Sequence, residues 1–234
     1  MKKVFAVITM LIGICGLSYS ENSFDNELSN LRKNVIGMCA QLQTGQLREN
    51  QEQLLKEIDD IISSWKEFTD KYKNTPPAEY GKDPDWKSYF DEALDNFQIM
   101  RQKVEEKNYN RAMQFCGLNC ALFVKIHQVN GISTLTDKMF TLRQHLKLTL
   151  SMAKASNWAG AKEIMENASK NLQEIKKLAT PANVDKKEYL NDIKLLDDSF
   201  AQLKSMFNTK DIKKFGEQFK TFLNTFNKLY LKYI

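Results

Sequence analysis

Histidine is scarce in this chain: His127 and His145 are the only two in 234 residues. No nucleophile elbow, HExxH zinc motif, phosphate-cradling glycine loop or calcium loop is present, so the enzyme classes built on those motifs are excluded and the chain reads as non-enzymatic. Proline (four) and glycine (nine) are also few. That argues against a turn-dense β protein or a disordered one, and for helices. Charge of one sign is missing too. The formal net charge is +5, with lysines and glutamates spread at helical spacing, a pattern of solvated helix faces that gives no reason to expect a nucleic-acid partner. After residue 17 no apolar run approaches the ~20 residues a membrane span needs.

One apolar run is present, at the N-terminus. Lys2-Lys3, the stretch 4–17 and the small-residue ending Ser18-Tyr19-Ser20 form the n-region, h-region and cleavage site of a signal peptide. Cleavage after Ser20 predicts a periplasmic or secreted protein. Ile14 precedes Cys15 where a lipid-anchor signal wants a small residue.

Periodicity and breakers predict eight helices, at about 24–43, 47–73, 84–106, 109–129, 134–155, 157–178, 185–207 and from 209 nearly to the end. The second carries Leu54, Ile58, Ile61, Trp65, Phe68 and Tyr72 on one stripe, and Pro76-Pro77 stop it. Asn108, Ser133, Asn157, Asp185 and Thr209 are the expected N-caps, and Pro84 suits a first helical turn. The halves repeat: Leu31-Arg32 matches Leu142-Arg143, and Thr75-Pro76 matches Thr180-Pro181. Shifted by about 103, Phe97, Met100, Val104, Phe123 and His127 fall on Phe200, Leu203, Phe207, Phe226 and Tyr230. The expected fold is therefore all-α. Two duplicated up-down-up-down four-helix bundles, 21–131 and 132–234, follow the cleaved signal peptide 1–20. One continuous eight-helix solenoid is the rival.

With these helices in place, each half resembles the cytochrome c′ and cytochrome b562 type of bundle. The segment Phe97, Met100, Val104, Asn108-Tyr109, Ala112, Cys116, Cys120 carries the resemblance. It implies a periplasmic haem protein for electron transfer or small-gas binding. The chain departs from that pattern at the chemistry. Cys116 and Cys120 are spaced one residue too far apart for the haem-attachment motif, and Ala121 stands where the iron ligand belongs, so covalent haem is excluded. Haem b on His127 is the alternative cofactor, but it needs an axial methionine. In antiparallel first and fourth helices, positions whose numbers sum to about 152–155 lie at one level. His127 thus falls beside residues 25–28, with Met38 roughly 15 Å away.

The same level places Cys39 beside Cys116. In an oxidising compartment a Cys39–Cys116 disulfide is the leading expectation. A Cys116–Cys120 bridge is disfavoured, since Cβ atoms one helical turn apart are too distant. The alternative is a soft-metal site of Cys39, Cys116 and Cys120 with Met38 or Met113, suited to copper(I). Cys120 is otherwise an odd thiol. His127 reads as a capping or core-edge residue and His145 as surface. The long aromatic loop 74–85 is either a contact surface or a lid over the core. Together these features predict a haem-free binding or scaffold module whose partner is an unidentified protein or small molecule. A haem- or copper-binding electron-transfer protein and a helical periplasmic chaperone are the alternatives.

Overall fold

A computed structural model of the protein describes residues 23–44, 50–181 and 184–233. The expected signal peptide lies outside the described residues. Eight α-helices and no strand occur among the described residues: α1 (Ser23–Thr44), α2 (Gln51–Tyr72), α3 (Trp86–Glu105), α4 (Tyr109–Val129), α5 (Leu135–Lys154), α6 (Trp158–Lys177), α7 (Lys186–Asn208) and α8 (Ile212–Tyr233). The expected apolar stripes are the buried ones. All six stripe residues of α2 are buried, as are Phe215, Phe219, Phe222 and Phe226 of α8.

Local chemistry fixes the helix ends. Asn108, Asn157 and Asp185 accept the N–H groups of Arg111, Gly160 and Glu188 as N-caps. Two expected caps are displaced by one or two residues. Thr134 caps α5 rather than Ser133, because that register brings Asp137 to the third helical position, where its carboxylate accepts the Thr134 hydroxyl at 2.7 Å. Asp211 rather than Thr209 caps α8, taking the N–H groups of Lys213 and Lys214, while Thr209 Oγ1 accepts from Asp211 N–H. Pro84 sits in the turn before α3 rather than in its first turn.

Three interhelical turns share a backbone device. Lys107, Ser156 and Lys210 have φ near +56°, +61° and +55°, each directly before a capping Asn or Asp. The left-handed conformation reverses the chain and lets Asn108 and Asn157 N–H reach carbonyls five residues back, Lys103 and Met152. For a residue with a Cβ this costs about 1–2 kcal/mol. Ser156→Gly is therefore expected to stabilise the protein by about 0.5–1 kcal/mol net, after allowing for glycine's freedom in the unfolded chain. A rise in the urea midpoint at unchanged slope checks it.

Helix α1 packs on α2 and α4, α2 on α3, and α3 on α4. In the second half α5 packs on α6 and α8, α6 on α7, and α7 on α8, and α4 meets α5. Helix α4 is apolar almost all round its last two turns, where Leu122, Phe123, Val124 and Ile126 are all buried, as expected of a helix covered on several sides. The loop after α2 folds back as a lid. Tyr80, fully buried in a short 3₁₀ turn (Ala78–Tyr80), packs on Phe24 at 4.8 Å and Trp86 at 5.1 Å between ring centroids, and its hydroxyl donates to Asp25.

Candidate functional site

Two features lie side by side where α1 and α4 face α5 and α8: a buried ion cluster and a cavity. Asp137 is the hub of the cluster. Capping places it in the first turn of α5, and α4 and α1 cover it, leaving it 2% exposed. One carboxylate oxygen takes the Arg32 guanidinium of α1. The other lies 2.6 Å from His127 Nδ1 of α4 and also accepts Thr134. His127 Nε2 faces Asp25 at 3.6 Å. Burial alone would push the imidazole down. The hydrogen bonds and charges of Asp137 and Asp25 outweigh it and bring its pKa up to about 9. Burial likewise opposes the Asp137 charge, but His127 and Arg32 hold that carboxyl below its ordinary value. The cluster therefore carries a guanidinium and an imidazolium against two carboxylates, and it joins residues of the first half to a residue of the second. His127 thus spends Nδ1 on the Asp137 carboxylate and turns Nε2 toward Asp25 inside the cluster.

The adjoining cavity holds about 300 Å³. One wall is the Cys39–Cys116 disulfide, which ties α1 to α4 with Cα atoms 6.2 Å apart and matches the expected pairing. Met113, Gly117 and buried Cys120 continue that wall along α4, and Arg143, Lys147 and Tyr230 supply the opposite polar side. Burial raises the Cys120 thiol pKa, against the pull of Arg32, Arg143 and Lys147. Gly117 explains part of the open volume. It lies mid-helix, where glycine costs about 1 kcal/mol relative to alanine, and a Cβ built there meets no atom within 4 Å. A second hollow, between α1 and α2, mixes Lys33 with Glu57 and Asp60, so its lining charges offset one another.

The structure thus gathers Cys39, Cys116, Cys120 and Met113 around one cavity, while Met38 lines the hollow between α1 and α2 instead. With Cys39 and Cys116 bonded to each other, the thiolates that copper(I) needs are reduced to Cys120 alone. Among the described residues no group of three His, Cys, Asp or Glu side chains is placed to hold a metal ion. His127 is not in the cavity lining. It is a buried ion-pair residue rather than a cap. His145, expected at the surface, is half-buried, and burial lowers its pKa. Arg32, Asp137, Arg143 and Tyr230 were not expected as site residues. Their signal was present nonetheless, since Arg32 and Arg143 follow the matched leucines Leu31 and Leu142 at positions facing inward. Among the described residues no helix is long and apolar enough to cross a membrane. Compared with protein-family models, curated proteins and solved structures, the chain matches none.

Proposed function

We propose that the protein is an exported, non-enzymatic binding module made of two duplicated four-helix bundles, 21–131 and 132–234, with a small-molecule ligand seated between them. The two closed sets of four packed helices support the duplication. So do the pairs Phe97/Phe200, Met100/Leu203, Val104/Phe207 and Phe123/Phe226, buried in both halves at one shift. On this reading each bundle follows the plan of a cytochrome c′-type bundle without covalent haem, a likeness that rests on the helix pattern of the sequence. The observation that carries the binding reading is the cavity where the halves meet. It has the ~300 Å³ of a small-ligand site, an apolar wall and a few convergent polar groups.

Gly117→Leu fills this cavity from a position where the new side chain meets open space. In a thermal-shift screen with small organic molecules of mixed charge, hits are expected that raise the wild-type midpoint and lose their effect in Gly117→Leu. If every hit acts equally on both proteins, or none appears, the cavity is not a binding site.

A further inference from the structure

We propose that the cavity between the halves selects an organic monoanion, a carboxylate carried on a compact apolar body. This rests on the reading of the cavity as a ligand site. The first observation is the charge of its lining. Arg143 and Lys147 both face it, and no Asp or Glu does. Arg32, matched to Arg143 in the sequence repeat, finds its carboxylate in Asp137 of the other half. Arg143 finds none among the described residues. Its Nε is buried without a hydrogen-bond partner, and its guanidinium is held between the Phe140 and Tyr230 rings, 5.6 and 5.1 Å from their centroids. A cation fixed by two rings and lacking a counter-ion is oriented for a planar acceptor such as a carboxylate.

The second observation is a pair of like charges left together. Partial burial and then the Arg143 guanidinium hold Lys147 below the ordinary lysine range. A bound anion offsets the second effect by placing a negative charge beside both cations. A bound cation would aggravate the second, and a neutral ligand would leave it in place. The third is the wall opposite. Ile36, Ala40, Met113, Gly117 and the disulfide present carbon and sulfur rather than hydrogen-bonding groups, which suits an alkyl or aryl body and not a bare inorganic ion.

Isothermal titration of the full mature chain uses octanoate as the probe, with octanol, octylamine and inorganic phosphate as the contrasts. Octanoate is expected to bind one per chain and more tightly than the other three. Arg143→Met, which keeps an unbranched apolar side chain between the two rings, is expected to weaken octanoate about 10- to 100-fold. Lys147→Gln, at the exposed edge, is expected to weaken it by a smaller factor, and Gly117→Leu to abolish it. Far-UV circular dichroism and the urea midpoint verify that each variant is folded. Octanol or octylamine binding as tightly as octanoate, with Gly117→Leu blocking it, overturns the anion preference and leaves the binding module standing. Phosphate binding as tightly as octanoate overturns the apolar body. Octanoate binding unchanged in both Arg143→Met and Lys147→Gln overturns the assignment of the carboxylate to these cations. No binding by any probe overturns the cavity as a ligand site altogether.

Discussion

Asp137→Ala is expected to destabilise the protein by about 3–5 kcal/mol, because removing one member of a buried charge network leaves the others uncompensated. Arg32 and His127 are 2% and 5% exposed, so neither can turn to water without opening the contact between the halves. Urea unfolding at pH 6 measures the loss. A change below about 1 kcal/mol would mean that the cluster does not clamp the halves together. The contrast is the exposed pair Arg101–Asp59, whose removal is expected to cost no more than about 1 kcal/mol. Added salt separates the two further. Screening weakens the exposed pair and leaves the buried cluster nearly untouched.

The same cluster sets a pH dependence of stability, with a definite sign. His127 has a folded pKa of about 9 against an ordinary 6.5. Its contribution is fully present below about pH 6.5 and is lost as pH rises through 9, a change on the order of 3 kcal/mol. Asp137 runs the other way. Its folded pKa lies below the ordinary 3.8, so its contribution is present above about pH 4 and is lost as pH falls through the folded value. Maximum stability therefore falls between roughly pH 4.5 and 6.5. In Asp137→Ala the alkaline slope should flatten, since the main hydrogen-bond partner of the imidazole is gone.

Much of the fold could be read from local chemistry. The stripes of α2 and α8 and the caps Asn108, Asn157 and Asp185 depend on residues within a few positions of each other. The caps at Thr134 and Asp211 were misplaced because neighbouring Ser, Thr and Asp residues compete for one role, and the longer-range geometry chooses. Level arithmetic within one antiparallel helix pair also worked. It placed Cys39 on Cys116, and it put His127 beside residues 25–28, where Asp25 is found. The seam itself could not be derived this way. Asp137 reads as an ordinary first-turn acid until α1 and α4 cover it, and nothing near Arg143 in the sequence indicates that Phe140 and Tyr230 enclose it. Both depend on how two halves are laid against each other, and no period or spacing encodes that. Only the pairing of Leu31-Arg32 with Leu142-Arg143 hinted that two inward arginines meet different environments.

Removal of the Cys39–Cys116 disulfide is expected to cost about 4 kcal/mol. The bond closes a loop of 77 residues, and cross-linking a loop of that length removes about 4–5 kcal/mol of conformational freedom from the unfolded chain at 25 °C. Cys39→Ala alone should lose as much as the Cys39→Ala/Cys116→Ala double variant. The remaining thiols, Cys116 and Cys120, lie one turn apart on α4, with Cβ atoms about 5–6 Å apart, whereas a disulfide needs about 3.5–4.5 Å. No rescue bond can form, and a bridge containing Cys120 in the variant would refute this geometry. Reduction should reproduce the loss. It should also expose Cys120 to alkylation, since the thiol is buried in the native protein and burial disfavours its thiolate. A loss of about 4 kcal/mol is a large share of the 5–15 kcal/mol that separates a typical domain from its unfolded state. The chain is therefore expected to accumulate folded where thiols are oxidised and to yield far less folded protein in a reducing cytosol. Equal yields of folded protein from both compartments would sink the stabilising role of the bond and remove its support for export.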